Sequence, residues 1–366
     1  GMKQVYSVEM ASGASTECCA EHLWMTRMPH ERRAGSEGSV RVLADIMGNL
    51  RYQDGHATHA IPLLSGPAQF DAVDLPIDPY LLGLLLGDGC FGEDWVSLTT
   101  ADEFIANEVM SIASRDGFVV SQDKSSSITY RLTGDGSGSG YPFKRNSPIV
   151  HAARDLDLLG TRSHNKFIPT AYLFASTEAR IALVRGLMDS DGTVDRRTGS
   201  ATFCTCSSVL LDCFTAVVRS LGGRATCRRG NITTYQANGE KREGITSYKA
   251  TVVLPMNPFL LPRKASLYKS AEAASKMYDP IVAVTPIGEK ECQCIEIDHP
   301  SHLYVTDDFI VTHNTHGQRN ARIHRLGQKQ DVELHDLVAN HASERRARAR
   351  LSKKYGLREL MLSPMD

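Results

Sequence analysis

The 366-residue chain contains no apolar run near the roughly 18 to 20 residues that span a bilayer, which argues against a membrane helix. No charged-then-apolar leader opens it, so no secretory signal is read. Its nine cysteines include the close pairs Cys18-Cys19, Cys204/Cys206 and Cys292/Cys294 but no C-x-x-C, so a zinc ribbon is not indicated. The odd count argues against a complete disulfide framework, and a reducing, cytoplasmic setting is expected. Neither sign of charge prevails, the formal net charge being −1. A nucleic-acid partner would therefore need a local basic face rather than bulk charge. With 42% apolar and 23% charged residues, the composition is that of a globular chain with room for two or three domains.

Two helix-like stretches repeat. Residues 80–89 read YLLGLLLGDG and residues 183–192 read LVRGLMDSDG. Each is apolar, each ends in Asp-Gly, and each has Gly five residues before the terminal Asp: Gly83 to Asp88 and Gly186 to Asp191. Small residues four apart, Gly83/Gly87 and Gly186/Ser190, put two gaps on one helix face and let two backbones approach. Asp88 and Asp191 would then arrive side by side. Two close carboxylates repel unless one takes a proton or a cation sits between them. A divalent metal, Mg²⁺ by its preference for oxygen ligands, resolves the conflict and suits phosphodiester hydrolysis.

The segments after the two helices also repeat. Strands are expected at residues 95–100 and 128–133 around a helix at 102–115, and at 201–206 and 247–253 around a helix at 207–223. This pattern resembles the LAGLIDADG homing endonucleases over residues 76–280. The resemblance implies an α+β domain of two pseudo-symmetric αββαββα halves, each laying an antiparallel sheet in the DNA major groove. It makes Asp88 and Asp191 the metal-binding carboxylates. Lys166, in Asn165-Lys166-Phe167-Ile168-Pro169, matches a lysine block of intein endonucleases. Lys249 is the expected second catalytic-centre lysine, with Arg131 as its first-half counterpart. Basic residues at Arg196, Arg197, Arg224, Arg228, Arg229, Lys241 and Arg242 are expected to meet phosphates and base edges.

At the far end, residues 292–315 read CQCIEIDHPSHLYVTDDFIVTHNT. Strands are expected at 294–297 and 303–305, with an apolar run at 309–311. An Asn side-chain amide can attack its own backbone carbonyl and cut the chain after itself. The neighbouring His313 can assist at Asn314, and Thr315 supplies a hydroxyl directly after the cut. This segment resembles the C-terminal splicing segment of an intein. In that family the penultimate His assists Asn cyclisation, and His302 would be a more distant assistant. Cys294 stands where many members have Asp; it either moves protons or is simply buried. Near the start, Gly13 is followed nine residues later by His22, resembling the intein segment whose His polarises the amide at the upstream junction.

The family opens with a Cys or Ser nucleophile and a first motif segment, and no match to these is found before Val5. The chain is therefore expected to lack that first segment and to splice poorly alone. Residues 1–70 and 281–314 would form a mostly β Hint (hedgehog/intein) splicing domain interrupted by the endonuclease. Residues 315–366, with Arg322 and Arg325, resemble the last motif of Swi/Snf-type helicases and would be a host fragment, or C-extein. A single chain with two halves is expected to act as a monomer on a long asymmetric site in double-stranded DNA, in the intein-free helicase gene. The rivals are a nuclease fold that binds DNA without cutting and an RNA maturase of the same fold.

Overall fold

In the computed structural model the described residues are 1–134, 147–237, 240–269, 277–293, 295, 297 and 299–314. The chain divides into two units, one of Gly1–Ser65 with the chain from Tyr278, the other of Gly66–Met277. The first begins with β1 (Met2–Met10), β2 (Ser15–Cys19), β3 (Leu23–Thr26), α1 (Pro29–Arg33), β4 (Ser39–Val42), α2 (Leu43–Gly48) and β5 (Ala60–Pro62). The second holds α3 (Pro79–Asp88), β6 (Gly89–Phe91), β7 (Val96–Thr99), α4 (Glu103–Asp116), β8 (Val119–Gln122), β9 (Thr129–Thr133) and α5 (Pro148–Asp155). It continues with α6 (Thr170–Leu173), α7 (Thr177–Asp191), β10 (Gly192–Val194), β11 (Ala201–Thr205), α8 (Ser208–Ser220), β12 (Arg224–Ala237), β13 (Glu240–Val253) and α9 (Pro262–Ala265). The chain returns to the first unit through β14 (Tyr278–Glu291), β15 (Leu303–Val305) and β16 (Val311–His313).

The first unit is mostly β. β1 runs antiparallel between β2 and β14, and β5 closes the far edge of that sheet. Gly13, at φ +82°, makes the β1–β2 turn in a conformation that costs other residues energy. A second sheet has the order β15-β16-β3-β4. Val8, Met10, Trp24, Leu43, Ile46, Ile61, Ile281 and Ile310 form the core. Full burial of each such side chain is worth ~1.5–3 kcal/mol. The expected strand at 294–297 falls partly outside the described residues, and Ile295 and Ile297 lie in no strand.

In the second unit the halves repeat helix, two strands, helix, two strands, helix. The sheets have matching orders, β6-β7-β9-β8 and β10-β11-β13-β12. α4 starts at its Asp102 cap, whose carboxylate accepts the Phe104 N–H, and stops at Gly117, φ +74°. α8 starts at Ser207, which accepts the Leu210 N–H. Both helices start where they are expected, at residues 102 and 207. The sequence pattern does not announce β12 as a 14-residue strand; it pairs with β13 through two register shifts. No helix among the described residues is long and apolar enough to cross a membrane.

Candidate active site

α3 and α7 pack at their glycines. A Cβ on Gly83 would lie 2.8 Å from the Leu187 nitrogen, and one on Gly186 would lie 2.9 Å from the Gly83 Cα. At the next turn a Cβ on Gly87 would meet the Ser190 Cβ at 2.6 Å and Asp191 Oδ2 at 3.4 Å. Only hydrogen at these positions allows the approach, so the expected side-by-side helix ends are formed. Asp88 is the more exposed of the two carboxylates and Asp191 is half-buried.

Burial, then the charge of Asp88, pushes the Asp191 carboxyl up to about 6, against the pull of Lys166 and Lys264. Burial also raises Asp88, opposed by the same two lysines. Each helix end is capped by one of these lysines. Lys166 Nζ donates to the carbonyls of Leu85 (3.0 Å), Gly87 (3.0 Å) and Gly89 (2.7 Å). Lys264 Nζ donates to those of Met188 (3.0 Å), Asp189 (2.6 Å), Ser190 (3.4 Å) and Gly192 (2.6 Å). With Asp88 matched to Asp191, Leu85, Gly87 and Gly89 correspond to Met188, Ser190 and Gly192. The lysines are therefore pseudo-symmetric equivalents. A cation at the negative end of a helix is favourable, and the orphan carbonyls there are satisfied. Burial nonetheless lowers both, and Lys166 falls to about 8.

Lys264, and not Lys249, caps the end of α7 as Lys166 caps that of α3. Lys249 is exposed on β13, opposite Cys204 on one side and Arg228 on the other. It belongs to the open face of the sheet, beside Cys204, on which Lys249 and Asp191 both act electrostatically. Arg131 is not its counterpart either. Leu98 faces Tyr130 as Phe203 faces Ala250, so Lys249 corresponds to Thr129 and Arg131 to Thr251. Arg131 instead pairs with Asp123 at 2.6 Å. Lys264, like Lys166, lies near a proline and a few residues before a tyrosine whose hydroxyl bridges a backbone N–H and C=O: Tyr172 on Ile77, Tyr268 on Leu254.

The second candidate cluster is in the first unit. β16 pairs with β15 and, through His313 opposite Leu23, with β3. This brings His22, His302, His313 and Asn314 together. His22 Nε2 lies 2.6 Å from Thr312 Oγ1, which donates to the Leu23 carbonyl at 3.2 Å. Burial, then His313, lowers His22 to about 4, so its ring is neutral at pH 7. His313 Nδ1 is 2.6 Å from the Asn314 carbonyl oxygen, and the His302 and His313 rings are 5.8 Å apart. Asn314 is 1% exposed and donates its backbone N–H to the His302 carbonyl at 2.9 Å. With its amide turned to satisfy both ends, Nδ2 donates to the same carbonyl (3.2 Å) and Oδ1 accepts from Ile297 N–H (3.0 Å). Cys294 and Thr315 lie outside the described residues.

Paired carboxylates on closely packed helix ends, flanked by two equivalent lysines and two matching sheets, give the second unit two repeated halves around one centre. Residues 167–253 match the homing endonuclease family. Among curated proteins, the replicative DNA helicase DnaB of Mycobacterium intracellulare is 28% identical over 339 residues, covering 85% of this chain and 50% of the relative. DnaB of Rhodothermus marinus is 28% identical over 207 residues, covering 56% of this chain and 20% of the relative. The chain thus spans half of one helicase and a fifth of the other. Solved structures with similarity include the homing endonuclease I-DmoI in complex with DNA and Ca (15% identity, TM-score 0.33, 52% of this chain and 95% of that one). Another is the N-terminal LAGLIDADG domain of DUF199/WhiA (9% identity, TM-score 0.28, 55% and 86%). The Swi/Snf-type resemblance of residues 315–366 lies outside the described residues, and both curated relatives are helicases of the DnaB kind.

Proposed function

We propose that the second unit is a site-specific, metal-dependent DNA endonuclease of the LAGLIDADG type. The observation that carries this is the pair of lysine-capped helix ends presenting Asp88 and Asp191 together. Asp191's raised carboxyl, caused in part by Asp88, is what two carboxylates do when no cation lies between them. They suit an oxygen-ligated divalent ion such as Mg²⁺, whose remaining positions would go to water and phosphate oxygens. Bound there, the ion would acidify water and offset charge on the phosphate. Asp88 and Asp191 would hold it; Lys166 and Lys264 keep the two helix ends fixed and would supply positive charge near the cleaved phosphates. The open sheet faces, with Arg228 and Lys249, would meet the DNA backbone and base edges. The partner is double-stranded DNA, an asymmetric site in an intein-free helicase gene, bound by one chain.

The test is Mg²⁺-dependent cutting of a plasmid library carrying such junctions. Asp88→Asn or Asp191→Asn should lower cleavage by at least ~100-fold. Undiminished cutting by either variant would remove the centre from the reaction. DNA binding with no cutting by the parent would favour the inactive DNA-binding reading.

A second reading concerns the first unit and rests on Asn314. A Hint splicing fold would use His313 to donate to the Asn314 carbonyl while the Asn side chain attacks it. The 2.6 Å contact between His313 Nδ1 and that oxygen favours this chemistry.

A further inference from the structure

Asp189 is 2% exposed, and the proposed DNA cleavage does not use it. We infer that Asp189 is a positioning residue that fixes Lys264 at the end of α7, and that it makes the two halves of the centre unequal. This rests on the nuclease reading.

One oxygen, Asp189 Oδ2, accepts from Tyr80 Oη at 2.9 Å, Leu260 N at 3.1 Å and Leu261 N at 3.0 Å. Three donors thus converge on one buried oxygen. Tyr80 belongs to α3, Asp189 to α7, and Leu260-Leu261 to the loop leading into α9. The node therefore ties both helices to the segment carrying Lys264. The Asp189 backbone carbonyl in turn accepts from Lys264 Nζ at 2.6 Å. The four-residue helix α9 is too short to hold its own place, so an external anchor is needed. The ion pair in this segment, Arg263 to Asp102 at 2.8 Å, sits on a side chain 64% exposed and is worth little.

Among the described residues the first half has no such node. The position matching Asp189 is Leu86, buried and apolar. The Lys166 segment is held through its backbone instead, the Ser207 hydroxyl donating to the Lys166 carbonyl at 2.7 Å. Removing Asp189 should thus loosen one lysine and leave the other in place.

The first test needs no metal or DNA. Metal-free protein is treated briefly with acetic anhydride and lysine labelling is read by mass spectrometry. In the parent Lys166 and Lys264, at 4% and 9% exposure, should label slowly. Asp189→Leu, which installs the first-half residue, should speed labelling of Lys264 by about 10-fold or more, leaving Lys166 unchanged, if local opening there becomes easier. Asp189→Ala carries the same expectation should the leucine not fit. Asp189→Asn keeps an acceptor oxygen and should stay within about 3-fold of the parent. Continued protection of Lys264 in the foldable Leu or Ala variant, or equal exposure of both lysines, would overturn the inference. The second test uses supercoiled plasmid that the parent cuts with Mg²⁺. Asp189→Leu should slow cutting of one strand by roughly 10- to 100-fold, so that nicked circles accumulate, with KM little changed. Equal slowing of both strands would count against it. A parent that fails to cut would refute the nuclease reading alone, since the labelling result stands without it.

Discussion

Asp191 carries the clearest energetic signature of the centre. Its carboxyl is raised from 3.8 to about 6, first by burial and then by Asp88. Between those pH values the folded protein keeps a proton that the unfolded chain has lost. Folding stability must therefore fall as pH rises through that window, by up to ~3 kcal/mol in the absence of metal. Asp191→Asn removes the cost. At pH 7.5 the metal-free variant should resist urea better than the parent, and at pH 4 the two should differ little. The same substitution destroys the proposed chemistry, so stability and cleavage should move in opposite directions. Equal stability of variant and parent at pH 7.5 would mean that the Asp191 carboxyl is not raised in the folded protein.

At the scale of elements, the α3–α7 pair decides whether the second unit exists. A methyl on Gly83 has no space, with the Leu187 nitrogen at 2.8 Å and the Gly186 Cα at 2.9 Å. Those are rigid backbone atoms, so the helices would have to separate. Gly83→Ala should cost at least ~2 kcal/mol by overpacking, outweighing alanine's better helix propensity. Gly66→Ala, where nothing lies within 4 Å, is the control and should change urea stability little. These helices were legible in the sequence because their information is local: glycine spacing, an apolar run and a terminal Asp-Gly. The helix starts at Asp102 and Ser207 were legible for the same reason. Lys264 was not, because its role is to cap α7 from 73 positions further along the chain (264 minus 191), on a helix with no periodicity of its own. Lys249 lies on a late strand as expected, and strand alternation puts it on the open face while Ala250 goes to the core. The pairing of His22 with Thr312 was equally beyond reach, since it depends on β16 lying beside β3.

Over the whole molecule, one unit is a continuous stretch and the other is assembled from both sides of it. The two proposed chemistries draw on separate residues and should be separable by mutation. Asn314 offers the sharpest case. Its side chain is buried, its backbone N–H is held by His302, and His313 Nδ1 sits 2.6 Å from the carbonyl that would be attacked. A donor at that oxygen stabilises the charge that develops on it, and the same ring can pass a proton to the departing nitrogen. Purified protein held at 25 °C and pH 7 should therefore release, over days, a fragment beginning at Thr315, seen as a new mass. Asn314→Ala should abolish release. His313→Ala should slow it by roughly 100-fold, the usual scale of a single proton-transfer group. Asp88→Asn should leave the release rate unchanged while ending DNA cleavage. Release that persists in Asn314→Ala would assign the cut to a contaminating protease and leave the His313–Asn314 contact as a packing feature of β16.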